Sequence, residues 1–296
     1  MKKLLFFLTI VITLSSCKDF KEGVKDGYND AKNEAEVKKK DGVKLYTLNG
    51  GKVQVNKLEL FSQDTTYTGQ SKVFADAFYI IKHPKGTLMW DAGLPEGLVG
   101  LPEPFTDPSG AFTVSRNDSV VSQLSKIDMT PNDIDYLSLS HTHFDHSGHA
   151  EKIKNATWLV QEPEYNFITS KEVQETNTDI YNAINALTNV KKLNGDYDVF
   201  GDGTVVIKSM PGHTPGHQVL FLKLENAGNL LLTGDLYHFE ENRETRGVPS
   251  FNFDVDMTLK SMEKFETFAK ENNADVYIQH SVKDFNRLPK FPNYLD

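Results

Sequence analysis

Four histidines and one aspartate lie close together in the segment "LSLSHTHFDHSGHAEK", residues 137–152. His141 and His143 are two residues apart, so on an extended segment both side chains point to one face and can bind one metal ion. Asp145 and His146 follow as a second pair that a turn presents to a second ion. Imidazole and carboxylate are ligands of zinc and of other borderline divalent ions. The spacing predicts a metal site, and hydrolysis is the chemistry that two such ions support.

Three further candidate ligands stand at the ends of short apolar runs elsewhere in the chain. The runs are "GTVVIKSMPG" before His213, "NLLLTG" before Asp235 and "ADVYIQ" before His280, and "IDYLSLS" precedes His141 in the same way. Such runs, rich in Val, Ile, Leu and Tyr and bounded by Gly, Asp or Asn, predict strands. Layered α/β folds commonly build their sites at the carboxyl ends of strands. The shared arrangement indicates one metal site and argues against a histidine-rich surface loop.

The string "HTHFDH" resembles the His-x-His-x-Asp-His motif of the metallo-β-lactamase superfamily, and "PGHTPGH", "TGD" and "IQH" resemble its later ligand motifs in the same order. The resemblance spans about residues 45–280 and implies an α/β fold, the four-layer αββα sandwich, with a dinuclear metal site at the sheet edge. It implies that the first metal takes His141, His143 and His213, that the second takes Asp145, His146 and His280, and that Asp235 bridges them. Two Zn²⁺ ions are the expected cofactors, and the same ligands also accept manganese, iron or cobalt.

Longer strings narrow the resemblance to the N-acyl homoserine lactonases, which open the lactone ring of quorum-sensing signals. They are "SLSHTHFDHSGH", "TWLVQEPEY", "TGDLYHF…VPSFNFD" and "VYIQHS". The resemblance implies attack of a metal-bridging hydroxide on the lactone carbonyl, with Asp145 carrying the proton to the departing ring oxygen. Better-known members have a tyrosine three residues after the bridging aspartate, where this chain has His238, preceded by Tyr237. Either is a candidate hydrogen-bond donor, and a packed aromatic is the alternative for Tyr237.

Other activities of the same fold stay open. A glyoxalase-like thioesterase, or another ester or β-lactam hydrolase, is the first alternative, because fold-level analogy does not choose the bond that is broken. A metal-binding protein without turnover is the non-enzyme alternative. A glutathione thioesterase needs a basic pocket, and the formal net charge of −9 indicates none. The same acidity, without a basic stripe, excludes nucleic acid as a partner.

The first 16 residues, "MKKLLFFLTIVITLSS", pair two lysines with a short apolar run, which predicts a secretory signal peptide. Cys17, the only cysteine, follows "LSS" as in a bacterial lipobox, so lipidation and membrane anchoring are expected; an ordinary signal peptide is the alternative. Residues 17–41 are almost all charged or small and predict a flexible tether. Residues 42–296 would form the hydrolase domain, outside the cytoplasm on the bacterial envelope.

Several features near the motifs carry weaker predictions. The string "TLMWDAG" resembles an early strand of the superfamily, which makes Asp91 a candidate for orienting a ligand histidine; a turn aspartate is the alternative. Residues 93–112 predict a loop that covers the substrate, or else core packing or a dimer contact. Residues 254–275 predict a packing helix with Asp256 as N-cap. Residues 241–247 predict a solvated loop, in which Arg243 or Arg246 could pair with acidic neighbours. Three further histidines lie outside the ligand set: His83, His149 and His217. His83 is expected in a loop.

Overall fold

The structure is a computed structural model that describes residues 42–296. The predicted signal peptide, the lipobox cysteine and the tether lie outside the described residues. The strands are β1 Lys44–Val55, β2 Lys72–His83, β3 Gly86–Trp90, β4 Phe105–Thr106, β5 Phe112–Ser115, β6 Tyr136–Ser138, β7 Thr157–Gln161, β8 Val190–Leu193, β9 Tyr197–Asp198, β10 Val205–Ser209, β11 Gln218–Leu224, β12 Gly228–Leu232, β13 Asp275–Tyr277 and β14 Tyr294–Leu295. The α-helices are α1 Val120–Leu124, α2 Phe144–Ser147, α3 Glu162–Ile168, α4 Lys171–Thr176, α5 Thr178–Ile184, α6 Glu240–Thr245, α7 Val255–Glu271 and α8 Val282–Arg287.

These strands form two mixed sheets. The larger sheet has the order β4-β5-β1-β2-β3-β6-β7-β8, with β14 also paired to β1. Strands β3, β6, β7 and β8 run parallel, whereas β1, β2, β3 and β5 pair antiparallel. The smaller sheet has the order β13-β12-β11-β10-β9, in which only the β12–β13 pair is parallel. All the strands named for residues 42–296 belong to one of these two sheets.

Alternation along the strands shows how the layers stack. On β2, Tyr79 and Ile81 join a buried cluster with Leu220 and Leu222 of β11, so this cluster lies between the sheets. Phe78 and Ile80, which alternate with them along the strand, face the opposite way into a cluster with the α1, α3, α4 and α5 helices. The outer face of the smaller sheet packs against α7 in a third cluster. Helices outside and two sheets inside confirm the predicted αββα sandwich.

Helix α7 confirms the predicted packing helix but not its predicted start. The side chain of Asp254, not Asp256, accepts a hydrogen bond from the backbone N–H of Met257 and caps the helix. Met262 and Phe265 are buried in the cluster against the smaller sheet. Asp254 and Asp256 are two residues apart, and only the backbone geometry shows that the first is the N-cap and the second lies in the first turn.

Two local predictions are wrong. The charged run at residues 241–247 is mostly helix α6 and not a loop, although Arg243 within it does pair with an acidic side chain, forming a bidentate ion pair with Glu266 on α7. His83 does not lie in a loop but ends β2, where its ring stacks on Phe200 at 4.1 Å and its Nε2 lies 3.0 Å from Asp202 Oδ2. In both cases partners distant in sequence order a polar segment. Among residues 42–296, no helix has the length and apolar character needed to cross a membrane.

Candidate metal centre

Loops that follow β6, β10 and β12 bring the first group of ligand atoms together. His141 Nε2 lies 2.9 Å from His143 Nδ1, and His213 Nε2 lies 3.2 and 3.1 Å from these two atoms. Asp235 Oδ2 completes the group at 3.6 Å from His141 Nε2 and 3.4 Å from His213 Nε2. The backbone places these residues as predicted, each one just beyond the carboxyl end of a strand.

A second group uses the other oxygen of the same carboxylate. Asp235 Oδ1 lies 3.1 Å from His146 Nε2 and 3.1 Å from His280 Nε2. Asp145 stands between them, with Oδ1 3.9 Å from His146 Nε2 and Oδ2 3.7 Å from His280 Nε2. Asp235 therefore presents one oxygen to each group, which is the arrangement of a carboxylate that bridges two ions.

The spacing of these atoms fits metal ions. Four ligands held tetrahedrally at about 2.0–2.1 Å from a zinc ion are separated from one another by about 3.3–3.4 Å. In the first group the three histidine nitrogens lie 2.9 to 3.2 Å from one another, and Asp235 Oδ2 lies 3.4 and 3.6 Å from the nitrogens of His213 and His141. His146 Nε2 and Asp235 Oδ1 are buried and make no hydrogen bond within the described chain, although they face each other at 3.1 Å. Buried polar atoms that converge without hydrogen bonds need a common partner, and a cation between them would satisfy the imidazole nitrogen and the carboxylate oxygen together.

The two groups differ in their electrostatics. Burial lowers the pKa of His141 well below its ordinary value, and the neighbouring His146 and His143 lower it further, so this imidazole is a neutral ligand. Burial also opposes charge on His280, but Asp235 and Asp145 outweigh it and raise its pKa to about 9. The carboxylates thus hold protons on the histidines of the second group, where a divalent cation supplies the positive charge instead.

Neighbouring side chains orient the ligand imidazoles. Asp91 Oδ2 lies 3.1 Å from His146 Nδ1, and Asp91 Oδ1 accepts a 2.6 Å hydrogen bond from the backbone N–H of Ser140. Gln279 Nε2 donates to Asp91 Oδ2 at 2.8 Å and to the carbonyl of Ala77 at 2.8 Å. The Asp91 carboxylate therefore fixes the ring of His146, as the resemblance implied. Sequence reasoning missed Gln279, whose only signal was its place directly before a ligand.

Glu164, also missed, ties together two loops that carry ligands. This buried carboxylate on α3 accepts hydrogen bonds from the backbone N–H and the hydroxyl of Thr142, at 3.0 and 2.7 Å. Its other oxygen accepts from the backbone N–H of Gly216 at 2.9 Å. A Cβ on Gly216 would lie only 2.5 Å from Glu164 Cβ, so the close approach requires glycine. The string "EPEY" gave no sign of this role.

The two remaining histidines near the motifs are not among the ligand atoms. His217 Nδ1 donates to the carbonyl of Met210 at 3.0 Å, and its Nε2 accepts from the backbone N–H of Asp235 at 3.0 Å. His149 is buried, with Nδ1 3.2 Å from Glu96 Oε2. His217 therefore positions Asp235 through the backbone N–H of that residue.

An apolar pocket of about 300 Å³ opens over the ligand atoms. Its lining residues are Val53, Leu60, Phe61, Phe74, Phe112, His143, Phe144, Asp145, Asp235, His238, Phe251 and His280. Of the residues 93–112 that were expected to cover a substrate, Phe112 lines this pocket, whereas Leu98 packs at the edge of a buried cluster and Leu101 and Phe105 are about half exposed. Among the described residues, the lining of this pocket contains aromatic and aliphatic groups but no lysine or arginine.

Comparison with known proteins agrees with this geometry. The model of the metallo-beta-lactamase superfamily matches residues 73–280. The chain belongs to this superfamily. It is 28% identical over 270 residues to the N-acyl homoserine lactonase AttM of Azorhizobium caulinodans, a match that covers 86% of this chain and 99% of the relative. It is 30% identical over 224 residues to the N-acyl homoserine lactonase AiiA of Bacillus thuringiensis subsp. kurstaki, covering 73% of this chain and 85% of the relative.

A solved structure shares the fold as well as the sequence. It is an N-acyl homoserine lactone hydrolase with the product N-hexanoyl-L-homoserine bound at its catalytic metal centre. The superposition has a TM-score of 0.73 at 28% identity and covers 85% of this chain and 98% of that chain.

Within this metallo-beta-lactamase fold, the two candidate donors point in different directions. His238 lines the pocket, with Nε2 3.0 Å from Asp235 Oδ2. Tyr237 is packed against Phe265, and its hydroxyl donates to Glu266 Oε1 at 3.0 Å. The structure therefore does not bring Tyr237 to the ligand atoms, and its side chain is a packed aromatic.

Proposed function

We propose that this chain is a metal-dependent hydrolase that opens the lactone ring of N-acyl homoserine lactones, with two zinc ions as its cofactors. The observation that carries the proposal is the Asp235 carboxylate, which presents one oxygen to each of two ligand groups on the floor of an apolar pocket. The relatives named above act on the same class of substrate, and the lactonase AttM matches nearly all of its own length. Imidazole and carboxylate donors without thiolate suit zinc.

The candidate ligands would form two separate ion-binding groups. His141, His143 and His213 with Asp235 Oδ2 would hold one ion, and Asp145, His146 and His280 with Asp235 Oδ1 the other. When bound, two such ions lower the pKa of water and polarise a carbonyl oxygen, which is what hydrolysis of a lactone requires. The chain supplies the binding surface, a hydrogen-bond donor and a proton carrier.

His238 is the proposed donor to the lactone oxygen. Burial lowers its pKa to about 4, although Asp235 opposes the change, so the imidazole is neutral near pH 7. Its one N–H faces Asp235 Oδ2, 3.0 Å from Nε2, and would serve the lactone oxygen once a metal ion occupies that carboxylate oxygen. Its ring packs edge-on against Phe61, with 4.8 Å between ring centroids, and stacks on His280, with 5.9 Å between ring centroids. A preorganised donor of this kind stabilises the negative charge that develops on the carbonyl oxygen during attack.

Asp145 is the proposed proton carrier. Its side chain lines the pocket and remains 14% exposed, whereas the bridging Asp235 is 5% exposed. The carboxylate would accept a proton from the attacking water and pass it to the ring oxygen as the C–O bond breaks. The product is the open-chain N-acyl homoserine, formed by addition of water without oxidation.

The pocket favours an acyl lactone over a glutathione thioester. Its lining is aromatic and aliphatic apart from the ligand residues and His238, which suits a fatty acyl chain. A glutathione thioester carries carboxylates that call for basic side chains, and the lining residues of this pocket include none. Thioesters and β-lactams therefore serve as comparison substrates rather than as a second proposal.

Ring opening of N-hexanoyl and N-decanoyl homoserine lactone, followed as acid release, tests the function. The expected result is rapid opening that is abolished in His143→Ala, with a thioester and a β-lactam hydrolysed far more slowly. A zinc-loaded protein inert toward the lactones and active on the thioester would overturn the substrate assignment. Zinc uptake without hydrolysis of any ester would support the non-enzyme alternative.

Matched variants test the donor. His238→Phe is expected to lower kcat by about 10²–10³, the usual effect of losing one oxyanion donor, with zinc content unchanged. Tyr237→Phe removes a hydroxyl from the neighbouring residue and is expected to leave kcat at the wild-type value, because that hydroxyl binds Glu266. Equal losses in both variants would contradict the assignment.

We also propose that the protein is exported and anchored to the bacterial envelope through a lipidated Cys17. The support is the sequence of the first 17 residues, with its lysines, apolar run and "LSSC". The test is metabolic labelling with palmitate followed by membrane fractionation. Incorporation of label that is lost in Cys17→Ser is expected, and an unlabelled protein released from the cells would indicate an ordinary signal peptide.

A further inference from the structure

The segment of residues 250–254 lies against the loop that carries the ligand His213. The backbone N–H of Phe253 donates to the carbonyl of His213 at 3.1 Å, and that of Asp254 donates to the carbonyl of Gly212 at 2.9 Å. Between the segment's two exposed aromatics, Asn252 turns inward, and its Oδ1 lies 2.9 Å from His213 Nδ1. The ligand nitrogen Nε2 is on the other side of the same ring.

The surroundings of Asn252 determine which way its amide points. Its Nδ2 donates to Thr258 Oγ1 at 3.1 Å. The hydroxyl of Thr258 in turn donates to the carbonyl of Asp254 at 2.7 Å. With its hydrogen used in this way, the hydroxyl oxygen can only accept from the amide of Asn252. With Nδ2 engaged as a donor, Oδ1 is the atom left to face His213, and it can only accept.

This chain of hydrogen bonds sets the tautomer of the ligand. Because Asn252 Oδ1 accepts, His213 must carry its proton on Nδ1, which leaves the lone pair of Nε2 directed at His141 and His143. A neutral imidazole binds metal only through an unprotonated nitrogen. Asn252 therefore prepares His213 for the ion before the ion arrives.

The loop beneath this arrangement packs closely against α7. Gly212 adopts a φ of +134°, and a Cβ there would lie 2.3 Å from the backbone nitrogen of Thr258. The hydroxyl of Ser261 donates to the carbonyl of Pro211 at 2.6 Å. The first turns of α7 thus hold both Asn252 and the ligand loop in one place.

We infer that Asn252 is a positioning residue for the first metal ion, acting through the tautomer and orientation of His213. The inference rests on the two-metal site of the proposed function but not on its substrate. Partners of ligand histidines typically change metal affinity by about 10–100-fold when they are removed. Asn252→Leu, similar in size but without an acceptor, is therefore expected to weaken binding of one zinc equivalent by about 10–100-fold.

The test measures zinc affinity by competition with a chromophoric chelator, so lactone turnover plays no part in it. Asn252→Asp keeps an acceptor for His213 and is expected to bind zinc within about threefold of wild type, because carboxylates serve the same role. Phe253→Ala changes an exposed neighbour, 58% exposed, in the same segment and is expected to match wild type. Thr258→Val, which frees the amide of Asn252 to rotate, is expected to show a smaller loss than Asn252→Leu.

A second readout follows the proton itself. In ¹H–¹⁵N spectra of the imidazoles, the Nδ1–H of His213 is expected to be protected from exchange in wild type and in Asn252→Asp, and absent or rapidly exchanging in Asn252→Leu. Wild-type zinc affinity in folded Asn252→Leu would overturn the inference, as would equal losses in the leucine and aspartate variants. If the leucine variant does not fold, the aspartate and Thr258→Val variants decide the question by the same two readouts.

Discussion

Replacing Glu164 by glutamine tests how much the link between the two ligand loops contributes to stability. The carboxylate accepts three hydrogen bonds, two from Thr142 and one from the buried backbone N–H of Gly216. Glutamine keeps the shape but has one oxygen, so in its best orientation it retains the Thr142 bonds and turns its –NH₂ toward the N–H of Gly216. Two donors then face each other.

The structure sets the size of the effect. A hydrogen bond to a charged acceptor contributes about 1.5–3 kcal/mol, and a buried N–H left without an acceptor costs about 1–3 kcal/mol. Because the two effects overlap, Glu164→Gln is expected to lower the free energy of unfolding by about 2–4 kcal/mol. The loops it joins carry His141, His143 and His213, so zinc affinity is expected to fall as well.

Urea unfolding of the metal-free protein measures the stability change, and chelator competition measures zinc affinity. The control is Glu162→Gln, the same chemical change on the same helix at a side chain that is 53% exposed and lies 3.9 Å from Lys192. Exposed pairs of this kind contribute about 0–1 kcal/mol, so the control is expected to stay near wild type. If Glu164→Gln is within about 0.5 kcal/mol of the control, the three hydrogen bonds of Glu164 do not stabilise the fold.

Three further predictions follow from individual buried groups. Burial, reinforced by Asp145, raises the pKa of Asp76 to about 7. The folded state therefore binds a proton that the unfolded state releases, so metal-free protein should lose up to about 4 kcal/mol of stability as pH rises from about 4 to about 7. Asp76→Asn should flatten that pH dependence in urea titrations. An unchanged slope would argue against a protonated Asp76. Phe61 is 3% exposed among aromatic side chains, so Phe61→Ala should cost about 3–5 kcal/mol in thermal or urea unfolding, and a loss below about 1 kcal/mol would mean that the cavity collapses. Asp91, at a φ of +60° that asparagine tolerates, uses one oxygen for the backbone N–H of Ser140 and the other for His146. Asparagine has one oxygen, so Asp91→Asn leaves one of these two donors without an acceptor and should weaken one zinc equivalent by about 10–100-fold in chelator competition. Wild-type affinity would show that a single acceptor is enough to hold His146.

The positions of the ligands were predictable from the sequence because two local signals coincide there. Short apolar runs predict strands, and each run before His141, His213, Asp235 and His280 does end in a strand or in the loop directly after it. The carboxyl ends of such strands meet at one edge of a layered fold, so residues up to 139 positions apart in sequence share one site. The αββα architecture came from the resemblance of the motifs and is confirmed.

Residues that support the ligands were not predictable in the same way. Glu164, Gln279 and Asn252 make hydrogen bonds to partners that are distant in sequence or on other elements, and no local pattern marks such a residue. Helix α6 and the strand position of His83 were missed for a related reason, since an ion pair to Glu266 and a ring stack on Phe200 order segments that are polar by composition.

Tyr237 and His238 show where sequence information ends. The chain itself determines that these neighbours diverge, because Tyr237 has extended backbone angles of φ −139° and ψ 139° and successive side chains on such a segment point to opposite faces. It does not determine which of the two faces the pocket. That is decided by packing, since α7 provides Phe265 and Glu266 for the tyrosine ring and hydroxyl, while Phe61 and His280 enclose the histidine. The sequence alone therefore predicts a metal site and a pair of candidate donors, and the tertiary structure brings His238 to the pocket while the ring and hydroxyl of Tyr237 pack against α7.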